Sequence, residues 1–154
     1  MNEPVFLTGR GKLAGADAVA ALLVTEDGHY VMQLRDPKPE IFYPDHWGCF
    51  GGAMDPGESP RQTLARELRE ELEFEVGAAA ELTRFDFDFR PLGGNKVYRI
   101  YYEVPVTAAA LSRFVLHEGA QFRAFSALDL LSQPRVTPYD AFAVWLHCQR
   151  ERFR

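Results

Sequence analysis

The stretch GGAMDPGESPRQTLARELREELEF, residues 51–74, constrains this chain more than any other segment. It runs from paired glycines through a Pro-Gly turn to Ser59, Pro60 and Gln62, which together signal a helix start. The serine caps, the proline sits where its missing N–H costs nothing, and the glutamine completes a capping box. Leu64, Leu68 and Leu72 then recur every four residues and give the helix one stripe to bury. Glu67, Glu70 and Glu71 stand three and four positions apart, so three carboxylates crowd one face. Each repelling pair costs about 0.2–0.5 kcal/mol. Two arrangements would offset that loss. One is a solvated face laced by intrahelical pairs, such as Arg66 to Glu70; the other is a set of hard divalent cations on the carboxylate oxygens.

The flanking sequence predicts a sheet. AVAALLVTEDGHYVMQLRD reads as a strand, a turn at Glu26-Asp27-Gly28 and a second strand, followed by a proline-rich loop, PKPEIFYPDH. WGCFGG reads as one short strand entering the glycines. In RFDFDFR, Phe85, Phe87 and Phe89 alternate with Asp86 and Asp88, the mark of a half-buried strand. After the loop PLGGNK, VYRIYYEVPV is a strand with Tyr98, Ile100, Tyr102 and Val104 on one face. AQFRAF is a further strand, SALDLLSQP a short helix capped by Ser126, and a last helix starts at Thr137-Pro138 with Phe142, Trp145, Leu146 and Gln149 along one side. Arg150, Arg152 and Arg154 suit the negative end of that helix's dipole. Strands, helix, strands, helices make a single α+β domain spanning residues 1–154 around a central mixed sheet.

Composition excludes several classes. A formal net charge of −5 argues against a protein that coats long nucleic acid, which needs a basic face, but leaves room for a small phosphorylated ligand. Cys49 and Cys148 lie far apart without a CxxC, and the four histidines lack HxxxH spacing, so neither a zinc site nor a disulfide framework is signalled. MNEPVFLTGRGKLAG carries no signal-peptide pattern and the longest apolar run, Ala18 to Val24, is far short of a membrane span, so no membrane partner and a cytoplasmic location are expected.

Counting from Gly52, the chain reads Gly, five residues, Glu58, seven residues, then Arg66-Glu67-Leu68-Arg69-Glu70-Glu71-Leu72, which resembles the signature box of the Nudix hydrolase family. The box covers residues 52–74, and its glycine, arginine, glutamates and aliphatic Leu68 all stand at the required spacing. One position departs: where the family has a glycine followed by an aliphatic residue, this chain has Glu73 and Phe74. A glycine just past a helix often takes positive φ, and a non-glycine residue occupies that region at a cost of order 1 kcal/mol or more. Either the helix runs on or the turn is strained.

The resemblance implies an α/β/α sandwich and a metal-dependent diphosphohydrolase, a pyrophosphatase in the broad sense, acting on a small nucleotide derivative with Mg2+ or Mn2+. By resemblance Glu70 and Glu71 are the principal metal ligands, Glu67 a further ligand or the base for water, and the Gly51 carbonyl a backbone ligand. Arg66 orients the glutamates, Gly52 and Glu58 are structural, and Glu118 is a candidate acidic residue from outside the box, with Glu103 a weaker one. Arg35 could meet a phosphate or base, or pair with Asp36; Trp47 and Phe50 could stack on a base, though core packing is favoured. The alternative is a silent Nudix-like module that senses a nucleotide. The substrate is not fixed by the box, and a homodimer is a possible assembly.

Overall fold

A computed structural model describes residues 15–153. The N-terminal stretch read for a signal peptide lies largely outside them, as does Arg154. Seven strands form one sheet: β1 (Ala18–Thr25), β2 (Tyr30–Leu34), β3 (Trp47–Gly48), β4 (Phe50–Ala53), β5 (Ala80–Asp88), β6 (Lys96–Val106) and β7 (Gln121–Phe125). The helices are α1 (Pro60–Leu72), α2 (Ala108–Leu111), α3 (Ala127–Leu131) and α4 (Pro138–Cys148). β1 runs parallel to β6 on one edge. Its other edge is divided: Ala18–Ala21 pair with β4, whereas Leu23 and Val24 pair with β2, which carries β3 and β7. The sheet therefore forks along β1.

Alternation along the central strands assigns the two faces. Val19, Ala21 and Leu23 of β1, with Ile100, Tyr102 and Val104 of β6, pack against Leu64, Leu68 and Leu72 of α1. Ala20 and Leu22, with Tyr101, meet Leu130 of α3 and Ala143 and Val144 of α4. A strand covered on both faces reads as a continuous apolar run, as AVAALLV does. Helices on both sides of a mixed sheet give the expected α/β/α sandwich. Each α1 leucine is under 2% exposed, and such burial stabilises by roughly 1.5–3 kcal/mol per side chain.

Four details differ from the sequence reading. WGCFGG is two strands, because Gly48 pairs with β2 while Gly51 and Gly52 pair with β1. β5 begins at Ala80, before the alternating phenylalanines, and the short α2 carried no helix signal strong enough to be read. The last helix buries the opposite side from the one its aromatics suggest: Asp140, Ala143, Val144 and His147 are inside, while Phe142 and Trp145 are 52% and 41% exposed. Polar residues can line that inner face because each is paired. Asp140 accepts from the Cys49 N–H, the Tyr101 hydroxyl and the Thr137 hydroxyl. His147 stands between the Tyr30 hydroxyl at 2.7 Å and the Glu103 carboxylate at 2.6 Å. Arg150 donates to the His147 carbonyl at the helix end, and Cys49 and Cys148 are free thiols.

Candidate active site

The start of α1 is built as its sequence prescribes. The Ser59 hydroxyl accepts from the Gln62 N–H and the Gln62 side chain accepts from the Ser59 N–H. The loop ahead of it is tied by Glu58, whose carboxylate takes the Asp55 N–H and the Thr63 hydroxyl. Arg66 is the hub. Its Nε and Nη2 grip the two Glu58 oxygens at 2.7 and 3.0 Å, Nη2 also reaches the Ala53 carbonyl, and Nη1 donates to Glu67 at 2.7 Å and Glu70 at 3.3 Å. A rigid planar fork makes all these bonds at once; a lysine ammonium could not. This guanidinium holds Glu58 down to about 2, with help from Thr63 and the Asp55 N–H.

The three helix glutamates differ in depth. Glu70 is the outermost, with 59% of its side chain exposed, against 13% for Glu67. Glu71 is 2% exposed and accepts the Gly51 N–H at 2.9 Å. Two glycines make this packing possible. A Cβ on Gly52 would stand 2.6–2.7 Å from the Glu67 carboxyl, and one on Gly51, at φ 132°, would stand 2.3 Å from the Val19 carbonyl. The helix thus lays its carboxyls directly on bare backbone. Burial pushes Glu71 up to about 8, opposed by the Gly51 N–H and reinforced by the charges of Glu118 and Glu67. Burial likewise raises Glu67, against the pull of Arg66 and with the push of Glu70 and Glu118.

Glu118 comes to these carboxylates from the loop between α2 and β7. The Val115 and His117 N–H groups donate to the carbonyls of Leu72 and Glu71, and Ala120 donates to the Leu34 carbonyl, so the loop is pinned to the end of α1 and to β2. Glu118 lines a cavity of about 320 Å3 with Gln33, Arg35, Asp36, Lys38, Ile41 and His117. Arg35 stands on that wall just past β2 with its Nε on the Phe42 carbonyl; Asp36 pairs with Lys38. Glu103 is elsewhere, holding His147 of α4. Phe50 is fully buried in the α1 core and so presents no stacking face, while the half-buried Trp47 packs at a steep angle against Phe125.

Gln33 was missed by the sequence reading. It lies on the same side of β2 as Val31, is 3% exposed, donates to the Cys49 carbonyl, and its amide pulls the Glu71 carboxyl down against the effect of burial. The signal was a lone amide in the apolar strand YVMQL. The turn after α1 resolves the question left at Glu73. The helix stops there, and Glu73 takes the left-handed conformation at φ 54°, ψ 31°. Its carboxylate meets the His117 ring at 2.7 Å.

Among the described residues, no three His, Cys, Asp or Glu side chains converge closely enough to hold a metal ion directly. Arg66 stands among them instead. The donor chemistry fits a hard dication: carboxylate oxygens from Glu67, Glu70, Glu71 and Glu118 beside an open glycine backbone, with Glu67 and Glu71 each raised partly by the charges of their neighbours.

A family model described as the NUDIX domain matches residues 15–146. A nucleoside triphosphatase of Salmonella agona, NudI, is 38% identical over 50 residues, which is 32% of this chain and only 35% of that relative. Among solved structures, the MutT protein from Methanosarcina mazei Go1 superposes with a TM-score of 0.73 at 21% identity, covering 93% of this chain and 98% of that one. The E. coli ORF135 protein gives 0.70 at 24%, covering 88% and 91%. The NUDIX domain of Shewanella oneidensis NrtR, solved with ADP ribose, gives 0.66 at 20%, covering 94% and 90%. At these identities the solved structures establish the fold.

Proposed function

This chain belongs to the NUDIX family, and from that premise we propose that it hydrolyses the diphosphate linkage of a small nucleotide derivative with Mg2+ or Mn2+ at the carboxylate face of α1. The observation that carries the reading is Glu71, a carboxyl buried on the Gly51 backbone and repelled by Glu67 and Glu118. A group held at such cost is best explained by a cation that rewards its ionised form. Glu70, Glu71 and Glu118, with the Gly51 carbonyl, would hold that cation, which when bound neutralises phosphate oxygens and lowers the pKa of a water.

The remaining roles fall to the chain itself. Arg66 fixes the Glu67 carboxyl through Oε1, leaving Oε2, against the Gly52 backbone, to accept a proton from the attacking water. A base with a raised pKa suits that transfer near neutral pH. Glu58 and Gly52 set the frame rather than touching substrate. Arg35, on the cavity wall facing Glu118, would take a phosphate oxygen.

The test is a panel of nucleoside triphosphates, nucleotide sugars and dinucleotides incubated with Mg2+, with phosphate assayed after phosphatase addition. Metal-dependent release that falls at least ~100-fold in Glu70→Gln or Glu71→Gln is expected, as for removal of a group that stabilises transition-state charge. Tight nucleotide binding without turnover would instead identify a sensing module and overturn the hydrolase reading.

A further inference from the structure

Glu73 sits where a glycine would be comfortable, and its side chain is not idle. Its N–H bonds back to the Arg69 carbonyl and the Phe74 N–H to the Leu68 carbonyl, so the backbone of this turn is satisfied without any side chain. The Glu73 carboxylate reaches across the turn to the His117 ring at 2.7 Å, beside the two backbone bonds by which Val115 and His117 cap the Leu72 and Glu71 carbonyls. The next residue is Glu118, whose charge is felt at both Glu67 and Glu71. Downstream, the loop is anchored on β2 through the bond from Ala120 to Leu34. Glu118 is therefore slung between two anchors, and the upstream one contains a side-chain bond that a glycine at position 73 could not make.

We propose that Glu73 and His117 are a positioning pair that clasps the Glu118 loop to the C-terminal end of α1 and so fixes the Glu118 carboxylate on the cavity wall it shares with Gln33 and Arg35. The clasp rests on the hydrolase reading for its catalytic meaning, but not for its existence. Its energetic signature is unusual. Glu73→Gly removes the clasp and also relieves a left-handed backbone, so stability and site geometry should move in opposite directions. A residue with only a folding role would move them together.

The experiment compares unaltered protein with Glu73→Gly, His117→Ala and the double variant. Four readouts are taken: thermal midpoint, hydrogen exchange at the His117 amide, calorimetric affinity for Mn2+ alone, and kcat and KM on whichever panel substrate is turned over. Expected for Glu73→Gly are an unchanged or higher midpoint, exchange at His117 roughly ten-fold faster, Mn2+ affinity weaker by roughly ten-fold, and a lowered kcat with KM little altered. His117→Ala should match it in exchange and Mn2+ affinity, and the double variant should be no worse than either single. Unaltered His117 exchange or unaltered Mn2+ affinity in Glu73→Gly would overturn the clasp, as would fully additive losses in the double variant. If the unaltered protein turned over no panel substrate, the hydrolase reading would fall while the exchange comparison still decided the clasp.

Discussion

Replacing Glu71 by Gln should make the protein more stable at alkaline pH, and the size of the gain can be worked from its surroundings. The folded chain holds this carboxyl's titration at about 8, against an ordinary value of 4.5, chiefly because burial penalises the charge. The native state therefore binds the proton more tightly than the unfolded chain. The stabilisation is full below about 4.5 and is lost as the pH rises through about 8. A tenfold difference in proton affinity corresponds to about 1.4 kcal/mol, so this group costs on the order of 3 kcal/mol between about pH 5 and pH 8. Glutamine keeps an oxygen for the Gly51 N–H and offers its amide to the neighbouring carboxylates, but has no charge to bury. In melts without divalent cation, the variant should match the unaltered protein near pH 5 and exceed it near pH 8 by roughly 6–12 °C. Overlapping curves across that range would show that Glu71 is not held in its neutral form by burial, and the cation argument would lose its basis.

Gly52→Ala should fold yet lose at least ~10-fold in turnover, because the added Cβ would sit 2.6 Å from the Glu67 carboxyl carbon and displace it; circular dichroism beside a rate assay checks both halves. Arg66→Lys cannot reproduce the grip on Glu58, Glu67 and Glu70, so catalytic efficiency should fall while the melting curve moves less, the fold resting on the leucine stripe. Asp140→Ala strands donors from Cys49, Tyr101 and Thr137 and takes the carboxylate away from the half-buried Arg99 guanidinium 3.6 Å off. It should destabilise by about 3–5 kcal/mol in urea melts; a loss under 1 kcal/mol would refute the view that this carboxylate anchors the strand leading into Gly51. Glu103→Gln should leave kcat unchanged, since that carboxylate serves His147 rather than the α1 face.

How far the site was legible in the sequence varies with the range of the interaction. The α1 start, its leucine stripe and its carboxylates could be read because each depends on neighbours within one or two helical turns. The face of β6 that carries Ile100, Tyr102 and Val104 could be read because alternation is a local property, whereas β1, a continuous apolar run, could be read only as a strand. The direction of α4 could not. Its aromatics pointed one way, and only the long-range partners of Asp140 and His147 explain why two polar groups face inward. Gln33 and His117 were hidden for the same reason: their partners Cys49 and Glu73 lie 16 and 44 residues away. The strain at Glu73 was foreseeable as one of two outcomes, but the side-chain bond that accompanies it was not.

The fork along β1 has a consequence for how this scaffold can diversify. The carboxylates proposed to hold the cation divide between the branches: Glu67, Glu70 and Glu71 hang from α1 beyond β4, whereas Glu118, tied to Leu34 through Ala120, comes with β2, as do Arg35, Lys38 and the proline-rich segment after them. Lengthening the segment after Arg35 would leave α1 and β4 in place, whereas changes to β2 itself would reach Glu118 through the Leu34 carbonyl. Most of the proposed chemistry and the proposed selectivity thus sit on separate arms of one trunk, joined where the Glu118 loop meets β2.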